Sequence, residues 1–260
     1  MLPALAAAVA VVAGLVPVGG GRHLYLSCTG HGSPIVVFES GLGVYSGTWL
    51  DVQRRVARTT RACVYDRAGL GQSDPAPPGR TSRDMVADLH ALLARARLRP
   101  PYVLVGASFG GLNAQLYAST YPRDVRGLVL VDSLSAGFDN RLEKLLPPKL
   151  KRERRDELGL NQEHVLFPQI VASEREVANA LPLPRLPLAV IRHGVPFSTA
   201  PGWPARAVER LWLELQRQLA HETSPPGRLV LAARSSHRIA EQQPALVAAE
   251  IVRIVTQTHR

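Results

Sequence analysis

The stretch Tyr102-Val103-Leu104-Val105-Gly106-Ala107-Ser108-Phe109-Gly110-Gly111 decides the reading of this chain. Its first four residues are apolar without polar alternation, which predicts a strand buried on both faces. The pattern G-x-S-x-G follows at once, and Leu112, Leu116 and Tyr117 then recur at helical spacing. A serine on so sharp a strand-to-helix bend has strained backbone angles. Strand and helix also converge there, so small residues are needed on both sides. In return the Oγ stands exposed at a helix N-terminus, where backbone N–H groups favour developing negative charge. The five letters alone decide little, because 21 of the 260 residues are glycine. The strand–turn–helix setting makes Ser108 the candidate nucleophile.

Outward from this point the chain alternates short apolar runs with helical periods, the signature of an α/β fold with a mostly parallel sheet covered on both faces. The runs are 35–38, 62–65, 128–131, 188–191 and 229–232. Leu24 to Cys28 reads as an antiparallel edge strand, and Leu15 to Val18 can already belong to a first strand. Thr81-Ser82-Arg83-Asp84 resembles a capping box, and Met85, Val86, Leu89, Leu92 and Leu93 follow at helical spacing. Pro244 suits the first position of a last helix. Between Asp132 and Pro187 no convincing strand is visible. An insertion of that length, about 133–186, predicts a helical cap over the site. Its charged run, Lys149 to Asp156, reads as a solvated helix face.

Ser40-Gly41-Leu42-Gly43, then Tyr65-Asp66-Arg67-Ala68-Gly69-Leu70-Gly71-Gln72-Ser73, then Gly106 to Gly111, resemble successive landmarks of the α/β-hydrolase superfamily. The late Ser235-Ser236-His237 resembles its catalytic histidine loop. The likeness covers about residue 22 to the C-terminus and is nearest to bacterial esterase-like members. It implies an eight-stranded sheet with a helical cap, and a serine hydrolase acting on an ester-like small molecule without a cofactor or metal.

A serine hydroxyl attacks well only when a base takes its proton and a third group orients that base. His237, just after the last strand, is the candidate base, and His193, after another strand, is the runner-up. Many relatives place the acid after the penultimate strand, but 192–203 contains no carboxylate. The preceding strand ends in Asp132, and the order Ser108, Asp132, His237 fits the superfamily. Asp132 is therefore the candidate acid, with a capping role as its rival and Asp139 and Glu209 as the next candidates. The resemblance points to the backbone N–H groups of Leu42 and Phe109 as oxyanion donors. Glu39 and Asp66 read as structural acids bonding loop amides. Phe138, Trp203 and Trp212 are candidates for the pocket wall or for core packing.

Composition narrows the class. A chain 46% apolar and 20% charged can bury one large core, and wholesale disorder is not expected. The net charge of +10 would suggest nucleic acid, but the basic residues are scattered and no nucleic-acid motif accompanies them. Neither a phosphate-binding glycine loop nor a metal cluster is present, so no cofactor is expected. Residues 1–18 carry no charge and predict an apolar segment before a 19–260 hydrolase domain. That segment suits an export signal or weak membrane anchor, which favours a secreted or envelope protein over a cytoplasmic one. The two cysteines, Cys28 and Cys63, read as buried thiols or as one disulfide. In the superfamily's sheet their strands are neighbours, which makes a bridge feasible.

Overall fold

The computed structural model describes residues 12–198 and 201–258. Eight strands form one sheet: β1 (Val12–Gly19), β2 (Arg22–Thr29), β3 (Ile35–Glu39), β4 (Ala62–Tyr65), β5 (Tyr102–Ala107), β6 (Val125–Val131), β7 (Leu188–His193) and β8 (Arg228–Ala232). Their spatial order is β1-β2-β4-β3-β5-β6-β7-β8. The β1–β2 and β2–β4 pairs are antiparallel, and the five remaining pairs are parallel. The central strands carry no outward polar face: β3 and β4 are buried throughout. Such strands hold their place because helices shield both sides.

Nine α-helices follow in chain order among the described residues: α1 (Leu50–Val56), α2 (Ser82–Arg95), α3 (Phe109–Thr120), α4 (Phe138–Leu145), α5 (Pro148–Gly159), α6 (Phe167–Ala180), α7 (Ala205–Ala220), α8 (Ile239–Gln242) and α9 (Pro244–Gln257). One face of the sheet buries Leu26, Leu104 and Leu130 against Leu89 of α2 and Leu112 of α3. The other buries Phe38, Val105 and Val129 against Val52 of α1 and Ile251 of α9. Each fully buried aliphatic side chain is worth about 1.5–3 kcal/mol relative to exposure, which anchors both layers. The expected helix starts are present: Thr81 N–H donates to Asp84 Oδ2 at 2.9 Å, and Pro244 opens α9.

Two expectations at the sheet margins need correction. The strand over Leu24 to Cys28 is not the edge, because Val12–Gly19 pairs outside it as β1. A boundary at residue 18 therefore falls inside a strand, and the apolar segment contributes to the sheet from Val12 onward. Residues 1–11, where the signal or anchor reading also falls, lie outside the described residues. At the opposite margin β8 pairs on one side only and is exposed at Arg228 and Leu231, so its apolar run is not doubly buried. Among the described residues no helix is long and apolar enough to cross a membrane.

Cys28 and Cys63 face each other in the β2–β4 register and are joined by a disulfide. Between β6 and β7 the chain leaves the sheet through α4, α5 and α6. The insertion is held down partly by Phe138 and Leu142 of α4, which pack on Val208, Leu211 and Trp212 of α7. Helix α5 has no buried residue, as expected of its charged run.

Candidate active site

The site lies beyond the carboxyl ends of the parallel strands, where loops from several strands converge. Ser108 caps α3 with φ 52° and ψ −123°, a left-handed conformation that costs a non-glycine residue energy. Its neighbours show why the turn needs glycine. A Cβ on Gly110 would lie 2.3 Å from the Ser40 carbonyl oxygen, and one on Gly106 would lie 2.6 Å from the Gly110 carbonyl. Three backbone bonds hold the bend: Ser108 N–H donates to Val131 O at 3.2 Å, and the Gly111 and Leu134 N–H groups both donate to Ser108 O at 3.0 Å.

Asp132 terminates β6, also with a positive φ, and is completely buried. Its carboxylate accepts four hydrogen bonds. Oδ2 takes His237 Nδ1 at 2.6 Å and His193 Nδ1 at 2.7 Å, while Oδ1 takes the Trp212 indole N–H at 2.9 Å and the His193 backbone N–H at 3.0 Å. Burial pushes this carboxyl up, but the bonds from His193 and His237 outweigh it and hold it below the ordinary carboxylate range. His193 is likewise buried, and its Nε2 meets Glu209 Oε2 at 2.9 Å. Burial draws His193 down, yet the two carboxylates raise it above the usual histidine value. With an acceptor on each ring nitrogen, the charged imidazolium satisfies both contacts.

A cavity of about 950 Å³ joins these parts. Ser108 and His237 both line it, together with Leu42 and Phe109. Among the described residues no hydrogen bond links Ser108 Oγ to His237, a contact that in unliganded enzymes often tightens only with substrate bound. Phe109 is the first residue of α3, so its N–H has no intrahelical acceptor. Among the described residues no acceptor engages the Leu42 N–H. Phe138, Trp203 and Trp212 line the same cavity, and Phe138 and Trp212 are also core residues.

The other candidates have different partners. Asp139 is buried and paired with Arg154, and Glu209 serves His193 and the Phe197 N–H. His193 does not line the cavity, being enclosed behind Asp132. Asp66 bonds the loop amides of Ser46 and Gln72 as expected. Glu39 instead holds side chains, those of Tyr65, Arg67 and Asn113. Asp132, His193 and His237 bring potential metal-ligand atoms within 4.8 Å of one another. A nitrogen that donates its hydrogen to Asp132 is not free to ligate, so these hydrogen bonds account for the grouping.

Several contributors were not legible beforehand. The sequence offers Trp212 only as wall or core, and Arg67 and Glu163 carry no signal beyond the motif around Arg67.

The fold and the residues at its strand ends define a class. The family model described as alpha/beta hydrolase fold matches residues 34–189, and the chain belongs to that family. The Bacillus subtilis protein YqjL is 27% identical over 212 residues, 82% of this chain and 79% of its own. Several other relatives are matched over less than half of their own length. Among solved structures, alpha/beta hydrolase domain-containing protein 10 from mouse superimposes with a TM-score of 0.71 at 17% identity, covering 95% of this chain and 99% of that one. A thermophilic esterase from Thermogutta terrifontis gives 0.64 at 20% identity over 96% of this chain and 100% of its own. At these identities the likeness concerns the fold.

Proposed function

We propose that the chain is a serine hydrolase that cleaves an ester-like bond of a small or medium apolar substrate through an acyl-enzyme. The observation that carries this reading is the bond from His237 Nδ1 to buried Asp132, with His237 lining the cavity that also receives the strained Ser108. In this scheme Ser108 Oγ attacks the carbonyl carbon while His237 Nε2 accepts its proton. Asp132 fixes the tautomer and offsets the imidazolium charge. The Leu42 and Phe109 N–H groups hold the oxyanion, each worth about 3 kcal/mol of barrier. His237 then protonates the leaving alcohol, and water repeats the sequence on the acyl-enzyme. The mainly apolar wall, including Leu134, Leu142, Phe197 and Trp203, supports an apolar substrate, and the insertion acts as its cap. The esterase from Thermogutta terrifontis shares this fold, which accommodates such chemistry.

The test is hydrolysis of short p-nitrophenyl esters by the wild type and by Ser108→Ala, with a fluorophosphonate probe in parallel. The wild type should turn over ester and label at Ser108, and the variant should lose at least a thousandfold in kcat. Equal rates or labelling elsewhere would remove Ser108 as the nucleophile, and a wild type that neither labels nor turns over ester would be a binding protein on this scaffold.

A further inference from the structure

We propose that Glu163, carried by the insertion between α5 and α6, is a positioning residue that fastens the oxyanion loop 40–43 through Arg67. The oxyanion hole is then complete only while the insertion is seated. This inference rests on the hydrolase reading above.

The argument begins with the Arg67 guanidinium, which is 3% exposed and has five N–H donors in a rigid fork. All five are used. Nε and one terminal nitrogen grip the two Glu163 oxygens at 2.6 and 2.8 Å. The same terminal nitrogen donates to the Gly41 carbonyl at 2.6 Å. The other donates to the Ser40 carbonyl at 2.5 Å and to Glu39 Oε1 at 3.0 Å. Glu163, 1% exposed, also accepts the Gly43 N–H at 2.8 Å. Two carbonyls and one amide of a four-residue loop are therefore tied to one buried cation and one insertion carboxylate. The Val44 N–H turns back to Gly41 O at 3.2 Å. None of these ties engages the Leu42 N–H, the donor assigned to the oxyanion.

Glu163 is itself held in place. The Asn161 amide accepts the Glu163 and Val165 N–H groups and donates to the Leu158 and Val165 carbonyls. The insertion touches the neighbouring loops closely here: a Cβ on Gly43 would lie 3.1 Å from the Asn161 side chain, and one on Gly69 would lie 2.8 Å from the Gln162 carbonyl. The same insertion supplies Leu150, Leu158 and Ile170 to the cavity. Lifting it to admit substrate withdraws Glu163, frees the Gly43 amide and leaves Glu39 as the one carboxylate on buried Arg67. A carbonyl-lined loop without that anchor can rotate its amides away from the cavity. Enclosure of the substrate and assembly of the oxyanion hole thus become one event.

A residue that merely stabilises the fold would change melting temperature and leave kinetics intact. A positioning residue for the oxyanion loop acts on the transition state, so it lowers kcat more than it changes KM. In Glu163→Gln, kcat should fall tenfold or more and KM should stay within about twofold. The affinity for a trifluoromethyl ketone, which forms a tetrahedral adduct with Ser108, should weaken by the same factor as kcat. Glu163→Asp, which keeps the charge, should recover part of the loss. Wild-type kcat in Glu163→Gln would overturn the proposal, as would losses confined to KM. A second measurement needs no variant. In the wild-type protein, amide hydrogens of 40–44 and 161–165 should lose exchange protection together as urea is raised below the unfolding transition. Loss from one segment while the other stays protected would overturn it. Absence of Ser108-dependent turnover in the wild type would sink the hydrolase reading alone, and the exchange experiment would still decide the coupling.

Discussion

Asp132 serves two imidazoles with one oxygen, an arrangement that under the proposed mechanism bears on the pH range of activity. His193, enclosed between Asp132 and Glu209 and packed against the rings of Phe197 and Trp212, is favoured as a cation by both carboxylates. A positive charge there offsets Asp132, so the carboxylate has less capacity to stabilise a second imidazolium at His237. Replacing His193 with Gln keeps a donor for Asp132 and removes the charge. The acidic limb of the kcat/KM profile should then move upward. An unchanged or lowered limb in that variant would show that the two rings do not share the charge of Asp132.

At the level of elements, the insertion carries a buried acid whose protonation state bears on stability. Glu174 of α6 is almost completely buried, and its Oε1 accepts the Asp139 backbone N–H of α4 at 3.0 Å. Burial, reinforced by the Asp139 charge, pushes its carboxyl up to about 9 from an ordinary 4.5. Between these values the folded protein holds a proton that the unfolded chain has released. This contribution to stability is therefore complete below pH 4.5 and is lost as pH rises towards 9. In Glu174→Gln the acceptor for Asp139 remains and the titration is gone. Thermal melts from pH 5 to 9 should show a smaller decline for the variant than for the wild type. Parallel declines would assign the pH dependence to other groups.

Across the whole molecule the site exists because one sheet gathers distant segments at its carboxyl edge. β3 supplies the 40–43 loop, β4 supplies Arg67, β5 supplies Ser108, β6 supplies Asp132, and the loop after β8 supplies His237. The sheet is secured near its antiparallel margin by the Cys28–Cys63 disulfide, which closes a 35-residue separation between β2 and β4. A bridge of that span is worth about 3–4 kcal/mol through restriction of the unfolded chain. The Cys28→Ser, Cys63→Ser double variant should fold with the same circular dichroism but melt several degrees lower. Non-reducing peptide mapping of the wild type should recover the linked pair. Two free thiols with an unchanged melting temperature would refute the stabilising role.

What the amino-acid order determined by itself was local. The elbow at Ser108 was legible because a strand, a bend that tolerates only glycine and a helix follow within one short segment, and their sterics are local. Asp132 was recoverable from its place at a strand end once no carboxylate appeared after the next strand. The outermost strand was legible only in part, at Leu15 to Val18, because residues 1–18 are apolar without a turn signal, so strand and apolar leader look alike. Only the tertiary structure decided that His193 sits behind Asp132, and that Glu209 lies behind His193. It also decided that Glu163 reaches Arg67 across 96 positions of sequence. Those contacts depend on how helices and loops pack over the sheet. A buried charge finds its partner through space, and no local periodicity records which carboxylate that will be.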